Sequence, residues 1–365
     1  MKIKIPYQDK ITLGYSLARS AGFAAQQWTL PFFEFVTTGA RKSHKAMDPH
    51  KLRLAYKELF RLLKKDSENI GQGIYPVEVL KPETVTRHFM RYPRIIYDGY
   101  SIAKRRKDKS AHDFDAEAEN FMKDLPEYYQ RNFHFQTGGY LTRESAELYE
   151  HQVEILFSGS ADAMRRLIIP LAKQVHPGDG AGLHFLEVGA GTGRLTRFMK
   201  LAYPKAKITV LDLSYPYLKK AQDNLHEFDR LDFVQGAAED LPFSDAKFDF
   251  VYSCFLFHEL PHEIRRQVIR EGYRVLKGGG CYGLVDSLQA EDTHDFEWAL
   301  EQFPWISTSR STRITPRIRW KGCYWRPVLR ACIRIRDFLP KHCWRVNPQS
   351  SVVFFNWGFQ NLGVR

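Results

Sequence analysis

Residues Leu183–Met199 read LHFLEVGAGTGRLTRFM. An apolar run, Leu183, Phe185, Leu186 and Val188, leads into Gly-Ala-Gly-Thr-Gly, after which Leu195, Phe198 and Met199 share one face at helical spacing. Strand, glycine turn and helix together form the place where open α/β sheets bind nucleotides. Gly189 suits the tight turn, Gly191 lets a ligand approach the backbone, and Gly193 lets the helix begin close against the strand. A dinucleotide fingerprint would put its third glycine at 194, where this chain has Arg, so the spacing disfavours NAD.

Downstream the alternation is regular. Strands are expected at Lys207 to Leu211, Asp232 to Val234, Phe248 to Ser253 and Cys281 to Val285, with helices from Ser214 to His226 and from Pro261 to Leu276. Strands separated by helices of this length predict an α/β, doubly wound, mainly parallel Rossmann-like sheet with helices on both faces. Gly278, Gly279 and Gly280 are expected to close the last helix.

Upstream, residues 1–137 read as a mainly helical region. Asp48 and Pro49 are a helix start, acid as N-cap and proline in the first turn, and Gly71 and Gly73 are the stop. Pro76, Pro82 and Pro93 are expected to break up the next segment, and the charged run Lys104 to Lys109 reads as a solvated loop or helix end. Gly39 to Ser43 reads as a loop. Gly138 and Gly139 interrupt the chain before a helix for which Thr142 and Ser145 both offer starts and which ends at Gly159, and Pro170 should kink or end the helix that follows. The domain division is then 1–137 helical and substrate-covering, 138–304 nucleotide-binding, and 305–365 an atypical tail.

Asp212, 23 residues after Gly189, ends the second strand, where a carboxylate accepts both hydroxyls of a ribose. Ser214 is at hand to cap the next helix, which frees Asp212 for a ligand. The stretch QGAAEDLPF, Gln235 to Phe243, is placed to flank an adenine or to form an ordinary turn. SCFLFHELPH after the fourth strand brings His258 and Glu259 to the carboxyl end of the sheet, candidates for proton transfer or for holding the next helix. HELPH matches the spacing of a zinc helix, but Pro261 between the two histidines breaks the helical turn that both would need, so no metal site is expected.

EVGAGTGR, LDLS, GAAEDLPFSDAKFDFVYS and REGYRVLKGGG, in this order, resemble the class I S-adenosylmethionine-dependent methyltransferases of the ubiquinone/menaquinone-biosynthesis type, over about residues 140–287. The resemblance implies S-adenosyl-L-methionine as cofactor. It places the methionine moiety against Glu187, Gly189, Ala190, Gly191 and Gly193, the ribose at Asp212 with Leu213 beside it, and the adenine near Ala238 and Glu239. Cys254 and Tyr140 are further candidates for contact with the donor, and His258 and Glu259 for catalysis. The family often has Asp at the position of Ala237, which shifts adenine recognition here toward the backbone or Asp240. The acceptor implied is a small molecule, aromatic or quinol-like, methylated on oxygen or carbon, with the aromatic N-terminal region covering it.

The net charge of +12 sits almost entirely in the tail: residues 305–365 hold ten Arg and two Lys against Asp337 alone, and the body before them carries 42 basic and 41 acidic side chains. A near-neutral body argues against broad phosphate contact. An authentic tail would fit RNA or anionic lipid, and with it an RNA or protein methyltransferase. An out-of-frame ending beginning near Pro304 is the other reading, and SVVFFNW, Ser351 to Trp357, reads as an edge strand. A protein that binds the cofactor without catalysis is the rival from another class. The five cysteines, without a Cys-x-x-Cys pair, and the lack of a signal-like or membrane-spanning apolar run lead us to expect a cytoplasmic protein. Reading the gene across the Pro304 codon distinguishes the two tails: an intact frame retains the arm, and a one-base deletion removes it.

Overall fold

The structure is a computed structural model and describes residues 7–38, 48–82, 85–108, 112–286, 331–333 and 351–356. Its centre is one sheet of order β3-β2-β1-β4-β5-β7-β6. The first five strands in sequence are β1 (His184–Val188), β2 (Lys207–Asp212), β3 (Leu231–Gln235), β4 (Phe248–Cys254) and β5 (Leu276–Asp286). All four pairings among them are parallel. Chain order reverses between β1 and β4, and such a switch point, beyond the carboxyl ends of the strands, is where open α/β sheets bind ligands. Two short strands complete the sheet, β6 (Ala331–Ile333) and β7 (Ser351–Asn356). β7 pairs in parallel with β5 and antiparallel with β6, so the segment expected at the edge is an inner strand and β6 is the edge.

Burial on both faces explains the apolar strands: Phe185, Leu186, Ile208, Val210, Phe248, Phe250, Val251 and Tyr252 are fully enclosed. Helices α8 (Arg194–Ala202), α9 (Tyr215–Asn224) and α10 (His262–Arg274) fill the connections. Ser214 caps α9 by accepting from the Tyr217 N–H at 3.2 Å. The expectation that Gly278 to Gly280 close α10 is corrected. The helix gives way at Val275, and the glycines lie inside β5, where the pairing with β4 jumps from Phe248↔Leu276 to Phe250↔Cys281. Extra residues on one strand must bulge; Gly279 does so at φ +80°, and a Cβ on Gly280 would sit 2.9 Å from the Lys277 carbonyl oxygen.

The N-terminal region is helical as expected: α1 (Gln8–Thr38), α2 (Pro49–Gly71), α3 (Val85–Asp108) and the short α4 (Ala116–Met122). Asp48 caps α2 by accepting from the His50 N–H at 2.9 Å. Pro93 does not divide its segment; it sits inside α3. Contacts C-terminal to it and beside it hold the helix through the missing hydrogen bond: Arg91 pairs with Glu147, Ile95 packs with Phe23, Leu148 and Ile155, and Asp98 accepts from Gln152. The expected loop at Gly39 to Ser43 lies outside the described residues, as does most of the tail. Helix α5 (Arg143–Leu156) starts at Thr142, which accepts from the Ser145 N–H. The chain then breaks at Leu167 between α6 (Ala161–Arg166) and α7 (Ile168–Val175), because Pro170 cannot donate to the carbonyl four residues back.

Buried ion pairs join this layer to the sheet. Arg166 of α6 makes two bonds to Asp66 of α2, at 2.8 and 2.7 Å, and its guanidinium lies over Phe198 of α8; Tyr75 donates to the same carboxylate at 2.7 Å. Asp162 of α6 takes a bidentate pair from Arg194, the residue that replaces the third glycine, at 3.0 and 2.6 Å. Removing one partner of such a pair leaves a buried charge alone. Arg166→Met is therefore expected to cost about 3–5 kcal/mol in urea unfolding, and the double variant Arg166→Met/Asp66→Asn to recover most of it; equal losses in both would show that packing, not charge, is what the pair supplies.

Candidate active site

The three glycines of the loop after β1 all have positive φ, 68°, 58° and 79° at Gly189, Gly191 and Gly193. Their surroundings differ. A Cβ on Gly189 would meet Leu256 at 3.0 Å and one on Gly193 would meet Leu225 at 2.6 Å, whereas one on Gly191 would meet nothing within 4 Å. The outer two are packing glycines, and the middle one presents bare backbone to open space. Ala190 is fixed by its N–H to the Leu211 carbonyl at 3.0 Å, and Thr192 by a hydrogen bond to Glu150 of α5.

Asp212, at the end of β2, faces this loop. Its Oδ2 accepts from the Gly191 N–H at 2.7 Å and its Oδ1 from the Ser214 N–H at 2.8 Å. Burial pushes its carboxyl up to about 6 despite these bonds. Glu187, the last acid of β1, accepts from the Thr196 hydroxyl at 2.6 Å, and burial pushes it up to about 8. Leu213 follows Asp212 on the turn into α9. Ala238 is buried with Leu211 and Val188, and Glu239 beside it accepts from the Tyr128 hydroxyl at 2.5 Å while its Oε2 is buried without a hydrogen-bond partner. Cys254 ends β4, where burial pushes its thiol well up.

Tyr140 bridges the two halves of the crevice. Its carbonyl accepts from the Ser214 hydroxyl at 2.5 Å, and its own hydroxyl donates to Glu259 Oε1 at 3.3 Å. Around it stand Phe133, stacked at 4.8 Å, with Tyr129, Tyr149 and Tyr217 at 5.3–6.4 Å between ring centres. Tyr129 and Phe133 of the N-terminal region thus pack against Tyr140.

His258 and Glu259 lie in a 3-10 turn (Phe257–Glu259) after β4, and His262 opens α10 beyond Pro261, so the two histidines do not share a helical turn. His258 Nδ1 is 2.9 Å from Asp286 Oδ1, and its Nε2 is 3.4 Å from Glu259 Oε1. The same Glu259 oxygen is 2.5 Å from His134 Nε2. Burial alone would lower His258, but the carboxylates of Asp286 and Glu259 push it up to about 10. Burial would likewise raise Glu259, and the two histidines hold it well below the usual carboxylate range. At neutral pH this is an imidazolium–carboxylate pair; action of His258 as a base requires that its proton leave first.

The crevice therefore brings together the glycine loop, Asp212, Glu239, Tyr140 and the His258–Glu259 turn. Sequence reasoning missed Tyr128, His134 and Asp286. Asp286 carries a readable signal, an acid at the end of the fifth strand; His134 carries only its place in the polar and aromatic block NFHFQTGGYLT.

Residues 185–280 match the family described as methyltransferase domain. The ubiquinone/menaquinone biosynthesis C-methyltransferase of Ectopseudomonas oleovorans is 33% identical over 141 residues, which is 37% of this chain and 78% of that protein. The chain belongs to the class I S-adenosylmethionine-dependent methyltransferases. Within them it is of the quinone-biosynthesis type. The demethylmenaquinone methyltransferase of Thermotoga maritima is 34% identical over 143 residues, 39% of this chain and 58% of that protein. The chain spans about half the length of the curated relatives it matches first. Among solved structures, the YcgJ protein of Bacillus subtilis is 27% identical, with a TM-score of 0.33 over 39% of this chain and 60% of the other.

S-adenosylmethionine is the cofactor of this family, and the residues present fit it. Open space over the Gly191 backbone, a buried carboxylate at the strand end and the partnerless Oε2 of Glu239 are features a nucleoside would complete.

The pH behaviour of the fold follows from Glu187. Its folded pKa lies above the unfolded value of 4.5, so the folded chain binds the extra proton. Stability is then fully present below about 4.5 and is lost as pH rises toward about 8, at up to about 1.4 kcal/mol per pH unit, with Asp212 adding the same trend below about 6. Glu187→Gln should flatten this slope in denaturant unfolding at pH 5 to 9; an unchanged slope would show that Glu187 is ionised in the folded chain.

Proposed function

We propose that this protein transfers the methyl group of S-adenosylmethionine to a small-molecule acceptor with an aromatic or quinol-like ring, on oxygen or carbon. The observation that carries the reading is the pairing of Asp212 with the bare Gly191 backbone at the carboxyl ends of β1 and β2. Asp212 would accept from the ribose hydroxyls, the loop from Glu187 to Gly193 would hold the methionine end, and Ala238 and Glu239 would border the adenine. Tyr140 and Cys254 would line the space between donor and acceptor.

The bound cofactor supplies an electrophilic methyl group, so the chain's task is alignment and the acceptor's proton. The aromatic walls formed by Tyr129, Phe133, Tyr140 and Tyr217 favour a flat apolar acceptor. The names of the Ectopseudomonas and Thermotoga relatives point to quinone precursors, which have this chemistry. At the polar end, His258, held in place by Asp286, and Glu259 would face the acceptor's oxygen. Among the described residues no helix is long and apolar enough to cross a membrane, so an apolar acceptor must enter from water or from a membrane surface.

Calorimetry with S-adenosylmethionine, followed by methyl transfer to phenols, quinols and lipids, tests the reading. One cofactor per chain is expected, with affinity falling about tenfold per pH unit below about 6, where Asp212 becomes protonated, and lost in Asp212→Ala. Absence of binding would overturn the proposal. His258→Ala is expected to lower kcat at least tenfold while leaving cofactor affinity within twofold; equal losses in both would assign His258 a purely structural role.

A further inference from the structure

Outside the cofactor loop, the densest group of metal-ligating side chains among the described residues is His134, His258 and Glu259, whose ligand atoms all lie within 4.8 Å of one another. We propose that this cluster binds one divalent transition-metal ion, with the two imidazole Nε2 atoms and the Glu259 carboxylate as ligands.

Two imidazoles and one carboxylate are a donor set that suits zinc-like ions. Bonds of about 2.0–2.1 Å put neighbouring tetrahedral ligands about 3.3 Å apart. The His258 Nε2 to Glu259 Oε1 separation of 3.4 Å already matches, and the 2.5 Å to His134 Nε2 needs to open by less than about 1 Å to match. His258 is oriented as metal-bound histidines are. Its Nδ1 is engaged by Asp286, which also accepts from the Phe257 and His258 backbone N–H groups, and this turns Nε2 toward the cluster. The independent observation is Glu259 itself: it is only 5% exposed, and its Oε2 is buried with no hydrogen-bond partner. A buried carboxylate oxygen left so is costly, and an ion held by both carboxylate oxygens would satisfy it.

Arg131 and Arg265 lie within electrostatic reach of Glu259 and repel a cation. Magnesium and calcium, which depend on several oxygen ligands, are therefore excluded in favour of an ion whose affinity comes from imidazole nitrogen. His134 is reached from the N-terminal region at φ 53°, a left-handed conformation braced by fully buried Asn132, which donates to the Asp113 and Gln136 carbonyls. The helical layer thus completes a site that the nucleotide-binding part alone lacks. The role of the ion rests on the methyl-transfer reading: polarising an acceptor oxygen lowers the pKa of its hydroxyl, so that the proton passes to water before the methyl moves from sulfur to oxygen.

The test uses the metal alone, with neither cofactor nor acceptor, so that its outcome is independent of methyl transfer. Full-length protein stripped with chelator is titrated with Co(II), read by visible absorption, and with Zn(II), read by calorimetry and thermal midpoint. One ion per chain and a raised midpoint are expected, with Mg(II) inert. His134→Asn, a residue that tolerates the left-handed backbone, is expected to weaken Zn(II) binding at least tenfold in a chain that still folds, as far-UV circular dichroism would show. Asp286→Asn should weaken it 10- to 100-fold. No binding at micromolar Zn(II), or binding that is indifferent to His134→Asn, overturns the proposal; S-adenosylmethionine binding persisting in either case would leave the methyltransferase reading standing.

Discussion

Asp162 is the interaction on which the architecture turns. It is buried, and burial alone would raise its carboxyl, but Arg194, Arg19 and Arg165 hold it well below the usual range. Those three arginines come from α8, α1 and α6, so one carboxylate ties the first helix of the sheet domain to the N-terminal layer. Arg165 also reaches Glu150 at 3.0 Å, and Glu150 in turn holds Thr192 of the glycine loop. Charges so enclosed are tolerable because they are paired with one another.

The nucleotide crevice has the opposite character. Its acids, Glu187 and Asp212, are buried with neutral donors rather than arginines, and so keep affinity for protons well above the ordinary carboxylate range. Placing unpaired acids at strand ends costs stability and leaves acceptors ready for hydroxyls and cations. The third cluster, at Glu259, lies between these cases, with histidines as the counter-charges.

Much of this was legible in the chain. The five parallel strands, the caps at Asp48, Thr142 and Ser214, and the break near Pro170 follow from local rules, because period, proline and short polar side chains act over a few residues. Pro93 and Gly278 to Gly280 escaped because tertiary contacts decided them: packing on α5 carries α3 through its proline, and the register of β4 draws the glycines into β5. At the site, the order of motifs located Asp212, and the structure paired it with Gly191. His134 was beyond reach of any local pattern, since only the folded helical layer sets it against Glu259.

Arg194 in the slot of the third glycine has one more consequence. A glycine there would forgo a further tie, whereas this side chain moors the end of the loop to α6 and, through Asp162, to Arg19 of the first helix. The end of the glycine loop and the first helix of the chain thus share one buried carboxylate as their anchor.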